Sequence, residues 1–150
     1  MALQEQVMEE LKAAMKAKDT VALESLRAIK SALLIAKTDK GGGDTMTEAE
    51  EIALVQKLVK QRKDSAAIFT EQGREDLATP ELEQIAVLER FLPAQLSEDE
   101  VLTEVQAAIK ALGAESMKDM GKVMGVVSQK LGGQADGKTI ANLVRQELNK

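Results

Sequence analysis

The sequence predicts an all-α fold of two helical subdomains, about four helices followed by a three-helix C-terminal bundle. Three observations predict it. Apolar residues recur at spacings of three and four along most of the chain, and strand-like alternation is nowhere convincing. Hydrophobic residues make up 44% of the 150 but aromatics only 1%, so Leu, Ile, Val, Ala and Met must fill the core. Together with plentiful Glu, Lys and Gln, this is a helix-forming composition. Finally, helix start and stop residues punctuate the periodic runs.

The first helix is expected over about residues 3–16, where Leu3, Val7, Met8, Leu11, Ala14 and Met15 form a stripe. Asp19 offers an N-cap for a second helix over about 21–37. Gly41, Gly42 and Gly43 make a flexible connection. Thr47 and Glu50 have the capping-box spacing. They open a long third helix with Ile52, Val55, Leu58, Val59, Ala66 and Phe69 on one face, ended by Gly73. Thr79-Pro80 resembles an N-cap followed by proline at the first helical position. The fourth helix then carries Leu82, Ile85, Ala86, Leu88 and Phe91 and stops at Pro93. The subdomain boundary is placed there, separating residues 1–92 from 93–150. Ser97 and Glu100 form a second capping box, for a fifth helix ending at Gly113. Ser116 and Asp119 repeat the device for a sixth, to about Leu131. Asp136 caps a seventh, ending near Leu148.

Cys and His are both absent. Disulfides, thiolate nucleophiles, Cys/His zinc sites and His general-base catalysis are therefore excluded. The Asp and Glu pairs carry no specific signal for acid–base work in an acidic helical chain. No metal and no cofactor are expected. No run is apolar enough to span a bilayer. The segment MALQEQVMEELKAAMK is amphipathic and rich in Glu, unlike a signal or transit peptide. The expectation is a soluble, cytoplasmic protein that engages neither membrane nor DNA. A net charge of −5 argues against non-specific coating of nucleic acid but leaves room for a local basic face.

Such a face is suggested at KDMGKVMGVVSQKLGGQADGK, residues 118–138, which holds half of the ten glycines. At about 100° per residue, Met117, Met120, Val123, Met124, Val127 and Leu131 share the core arc of the sixth helix. Lys118, Lys122 and Gln129 lie opposite, and Gly121, Gly125 and Ser128 form a smooth edge between. Each helical glycine costs about 1 kcal/mol of propensity against alanine, so something must approach that edge closely. Two readings meet the requirement: another helix packed tightly, or a nucleic-acid backbone with Lys118 and Lys122 on its phosphates. On the seventh helix Lys138, Asn142, Arg145 and Asn149 share the outer face. From Gly113 onward six Lys/Arg stand against four Asp/Glu, leaving that part at +2 and the rest at −7. Without aromatics to stack on bases, folded RNA recognised by shape is the compatible ligand.

Three other patterns have structural explanations. Gly132, Gly137, Lys138 and Thr139 match G-x-x-x-x-G-K-T, but the preceding segment reads as the end of a helix instead of a buried strand. There Gly132 and Gly133 serve as a C-cap and Asp136 as an N-cap. Lys30 projects into the middle of a broad apolar arc made by Leu23, Leu26, Leu33 and Leu34, with Arg27 at its edge. A lysine so placed snorkels or pairs with a carboxylate. Gln61, Arg62, Lys63 and Asp64 read as a solvated basic face.

LRAIKSAL (26–33), KQRKDS (60–65), GREDLA (73–78), LPAQLSEDE (92–100) and DMGKVMG…GGQADGK together resemble the YqeY family, in order and over essentially the whole chain. The resemblance implies two all-α subdomains. It also implies a C-terminal portion similar to the tail of GatB, the B subunit of the glutamine-dependent Asp/Glu-tRNA amidotransferase. Related tails are appended to some glutaminyl-tRNA synthetases. In GatB the tail is implied to grip the elbow of tRNA. The positions carried over are Gly121, Lys122, Gly125, Gly132, Asp136, Gly137 and Lys138, with Lys118 as a neighbour. Adding Gly133, Asn142 and Arg145 from the residue-level reading completes the candidate RNA face, with Arg27, Lys30 and Asp136 as structural or secondary positions. The chain lacks the kinase-like core of GatB, so carbon–nitrogen ligase activity belongs to the association. The function expected is a stand-alone tRNA-binding accessory module. The alternatives are an adaptor docking on an amidotransferase or aminoacyl-tRNA synthetase, or an in-trans amidotransferase subunit.

Overall fold

The computed structural model describes residues 3–39 and 46–150, so the Gly41–Gly43 connection lies outside the described residues. Among those described there are seven α-helices and no strand: the fold is all-α. The helices are α1 (Leu3–Ala17), α2 (Thr20–Asp39), α3 (Glu48–Glu71), α4 (Glu75–Glu89), α5 (Glu98–Leu112), α6 (Met120–Leu131) and α7 (Gly137–Leu148). They divide into two units, Met1–Leu92 and Pro93–Lys150.

In the first unit α2 packs on α1, α3 and α4, and α3 runs against α4. Val7, Leu26, Ile29, Val55 and Leu88 are sealed from solvent. Ser25 is buried among them, and its hydroxyl donates to the Val21 carbonyl at 2.8 Å, so its side chain is matched. Lys18 takes a left-handed φ of 55° between α1 and α2, and Asp19 accepts from the Ala22 N–H at 3.1 Å. Thr47 accepts from the Glu50 N–H at 3.2 Å to open α3.

The fourth helix begins a turn and a half before the expected proline. Arg74 forks onto Asp76, Nε to Oδ1 and Nη2 to Oδ2, both at 3.0 Å. That guanidinium holds the Asp76 carboxyl below its ordinary range. The Leu77 and Ala78 N–H groups both donate to the Arg74 carbonyl at 3.1 Å, and Gly73, at φ 73°, turns the chain out of α3. Pro80 then sits inside the helix close to its start, where its missing N–H costs a single ladder bond. Ala78, Ile85 and Leu88 are the buried stripe, whereas Leu82 and Ala86, expected inside, are exposed. Met8, Met15 and Leu34 are also exposed; each lies at the rim of the arc its helix turns inward. Arg62 is no solvated side chain. It donates to Gln84 Oε1 at 2.9 Å and to the Leu58 carbonyl at 3.1 Å, while Gln84 donates to Glu24 at 2.9 Å. The relay links α3 and α4 to α2.

In the second unit α5, α6 and α7 each pack on the other two. Val101, Val105, Val123, Val127 and Val144 form its sealed centre, flanked by Leu131, Ile140, Leu143 and Leu148. Valine is a mediocre helix former, so interhelical packing outweighs propensity here. Ser97 Oγ accepts from the Glu100 N–H at 3.2 Å and Glu100 Oε1 from the Ser97 N–H at 3.0 Å, a complete capping box. Gly113, at φ 64°, closes α5. The device expected of Ser116 and Asp119 differs in detail. Ser116 Oγ accepts from the Lys118 N–H at 3.3 Å and Asp119 Oδ2 from the Glu115 N–H at 3.1 Å. Together they frame a short 3-10 turn, Met117–Asp119, with α6 starting at Met120. Inside that turn Met117 leaves the α-helical register, and it is exposed instead of joining the core arc.

The α5 box gives an acid signature. The Ser97 backbone N–H, then its hydroxyl, hold the Glu100 carboxyl below the ordinary glutamate range. A carboxyl more acidic folded than unfolded stabilises above its unfolded pKa and loses that contribution as pH falls through its folded value. The expected result is a second unit that weakens on acidification below the ordinary glutamate range, with Glu100→Gln flattening this part of the profile. Helicity melts across that range check it.

Candidate nucleic-acid interface

The site is built on the outer faces of α6 and α7. Val123, Val127 and Leu131 anchor α6 in the core, with Met120 and Met124 beside them. This fixes what points outward: Lys118, Gly121, Lys122, Gly125, Ser128 and Gln129 are all exposed. A β-carbon placed on Gly121 or on Gly125 would meet nothing within 4 Å beyond the local helix backbone. The glycines are therefore not there to admit another helix of the second unit. Both face open space, and Gly125, inside α6, costs about 1 kcal/mol in helix propensity. Val126, 42% exposed, continues this face past Lys122; the sequence reading did not single it out.

The loop from α6 to α7 separates the remaining glycines. Gly132 and Gly133 have φ of 47° and 89°, a region that side chains seldom adopt. Gly132 is the α6 C-cap. Two glutamines that the sequence reading missed brace the loop. Gln95 donates to the Gly133 carbonyl at 2.9 Å and Gln134 to the Ala94 carbonyl at 3.2 Å, while the Leu96 N–H donates to the Gln134 carbonyl at 2.9 Å. The available signals were the place of Gln95 just after Pro93 and of Gln134 just after the Gly132-Gly133 pair, though nothing in the pattern named the partners. Gly132 and Gly133 are thus explained by backbone geometry and Gly121 and Gly125 are not. Gly137 opens α7, exposed, with open space at its β-carbon position. No strand precedes Gly132, so the phosphate-loop pattern is a helix C-cap joined to an N-cap.

Asp136 is that N-cap, accepting from the Thr139 N–H at 2.7 Å. Its loss removes a charge-assisted cap at the positive helix end. Asp136→Ala is expected to lower stability by about 1 kcal/mol, read as a shifted denaturation midpoint with unchanged slope. Along α7, Ile140, Leu143, Val144 and Leu148 are buried, leaving Lys138, Asn142, Arg145 and Asn149 exposed. Arg145 Nη1 donates to Asn142 Oδ1 at 3.3 Å, one exposed contact that helps to hold the guanidinium.

Electrostatics favour the cations. Of the four acids after Gly113, Asp119 and Asp136 accept backbone N–H groups and Glu147 pairs with Lys150 at 3.0 Å. Lys130 pairs with Glu104 at 2.6 Å. Lys118, Lys122, Lys138 and Arg145 have no carboxylate partner among the described residues. Lys30 and Arg27 lie elsewhere, exposed on α2 and without a carboxylate partner among the described residues, so of the two roles expected for Lys30 the pairing is not seen. Among the described residues no group of acids could hold a metal ion, and no helix is long and apolar enough to cross a membrane.

The class is an all-α protein of two helical units, the second with a glycine-edged, cationic helix face. The chain matches the family described as Yqey-like protein over residues 4–148, and it belongs to that family. It is similar to altered inheritance of mitochondria protein 41, mitochondrial, of Clavispora lusitaniae, at 35% identity over 71% of this chain and 64% of that protein. The Pyrenophora tritici-repentis protein of that name is 32% identical over 84% of this chain and 69% of its own length. The chain thus spans about two thirds of these fungal relatives, whose names place them in mitochondria. It is also 32% identical to a segment of a glutamyl-tRNA(Gln) amidotransferase subunit of Thermococcus gammatolerans, over 71% of this chain and 14% of that much longer protein. The chain is therefore related to a piece of an amidotransferase subunit.

Proposed function

We propose that this chain is a tRNA-binding accessory module without chemistry of its own, gripping folded tRNA through the outer faces of α6 and α7. One observation carries the reading: Gly121 and Gly125 stand open beside lysines that have no carboxylate partner. A helix edge without side chains lets a phosphate–sugar backbone come close, and cations at its border neutralise it. Asn142 and Asn149 offer amide groups to 2′-hydroxyls. The relation to a segment of a tRNA-dependent amidotransferase subunit points to the same ligand. The matched piece is small beside that enzyme, and this chain has neither Cys nor His to serve as nucleophile or base. Cytoplasm is the compartment we propose, and fractionation of a tagged chain against mitochondria checks it.

The test is titration of total tRNA and of a DNA duplex of similar length at two salt concentrations. Tighter binding to tRNA, falling steeply with salt, supports the proposal. Equal affinity for both, or binding indifferent to salt, removes it.

A further inference from the structure

The first unit carries a second surface, apart from the RNA face proposed on α6 and α7. A groove of about 110 Å³ runs between α1 and α2. Val7 and Leu33 are its floor, Met8 and Leu34 its exposed apolar walls, and Lys30 and Lys37 its cations. At about 100° per residue, Arg27, Lys30, Leu34 and Lys37 fall within about 80° of one another on α2. No Asp or Glu shares that arc, in a chain whose net charge is −5. Lys37 donates to Gln4 across the groove, whereas Lys30 and Arg27 have no hydrogen-bonding or ionic partner among the described residues.

We propose that this groove docks an acidic amphipathic helix of a partner protein. Leu34 is 67% exposed, and it stands with Met8 over a floor already buried against the core. The volume is well below the roughly 300–1,000 Å³ of a small-molecule site, but suits one or two aliphatic side chains. Apolar anchors spaced three and four apart are how a helix seats in such a furrow. The cations along one wall select the sign of the partner: carboxylates bordering the anchors meet Lys30 and Arg27 beside apolar surface, where screening by water is reduced. A concave furrow favours a helix over a flat lipid surface. The inference is independent of the RNA reading, because it concerns α1 and α2 alone.

The probe is a synthetic peptide of roughly 18 residues, long enough to hold helix when seated, with leucines on one face and glutamates on the other. A control carries lysines in place of the glutamates. Isotope-labelled full chain is titrated with each and observed by NMR. The expected result is saturable binding of the acidic peptide, with the largest amide shifts around Met8, Lys30 and Leu34, and none from the basic control. Lys30→Glu and, separately, Leu34→Asp each weaken it by about tenfold or more. Both positions are exposed, so the fold is expected to survive, and unchanged helicity with wild-type amide dispersion away from the substituted residue confirms that it does. Equal response to both peptides, no response to either, or shifts lying outside α1 and α2 would overturn the proposal. So would Lys30-dependent binding to phosphatidylserine vesicles that exceeds binding to the peptide, since the occupant would then be lipid.

Discussion

Replacing Lys122, Lys138 and Arg145 together by alanine is expected to lower tRNA affinity about a hundredfold near 0.15 M salt. The figure follows from counterion release. Each neutralised phosphate contributes a slope of roughly 0.7–0.9 in log affinity against log salt. At that salt one contact is worth about fivefold, and three multiply to about two orders of magnitude. The same variant should show a salt slope shallower by roughly two to three. All three side chains are exposed and none has a carboxylate partner among the described residues, so their removal leaves no buried charge behind and helicity should be unchanged. Single substitutions should each cost about fivefold, with Lys122→Ala and Lys138→Ala equal within a factor of two or three. An isothermal or anisotropy titration at several salt concentrations reads affinity and slope together. A triple variant with wild-type slope would show that tRNA touches the chain elsewhere. Arg145 separates the two kinds of cation contact. Its guanidinium is steadied by Asn142, so Arg145→Lys should keep the salt slope while losing part of the affinity, because a point charge replaces a held fork.

The helices were legible where caps and breakers carry local chemistry. Ser97 with Glu100, Gly113 and Asp136 each do in the structure what their residue types dictate. The start of α4 was not legible, because Thr79-Pro80 imitates a helix opening while the real one depends on Arg74 reaching Asp76. The exposure of Met117 depends in the same way on a 3-10 turn that no periodicity announces. Of the candidate site, the sequence could show that Gly121, Gly125 and the lysines share a flank of one helix. It could not show what lies opposite that flank, since an inward and an outward edge have the same wheel. Nor could it divide the five glycines of this stretch by cause: φ at Gly132 and Gly133, open space at Gly121, Gly125 and Gly137. Lys30 was legible as an oddity, whereas the groove it lines between α1 and α2 was not, because it depends on how the two helices pack.

Gly121→Ala with Gly125→Ala is expected to stabilise the second unit, by about 1 kcal/mol at Gly125 inside α6 and by less at Gly121 in its first turn. Nothing within 4 Å opposes the added β-carbons, and a residue with less backbone freedom also narrows the unfolded ensemble. Had these glycines served internal packing, the same substitutions would overpack a contact and destabilise by about 1–3 kcal/mol. The sign of the change in denaturation midpoint therefore decides between the two readings open at the level of sequence. Binding is expected to move the other way. Gly125→Gln keeps good helix propensity and adds no charge, so it should share the stability gain. Its side chain occupies the edge along which a phosphate backbone would run, and tRNA affinity should fall on the order of tenfold, equivalent to about 1.4 kcal/mol. The salt slope should change little if the lysine contacts re-form at a distance. A variant that is more stable and binds less well is the signature of a position kept bare for a ligand. A variant that is more stable and binds as tightly as wild type would mean that RNA does not approach α6 along this edge, and the interface would have to be sought on α7 alone.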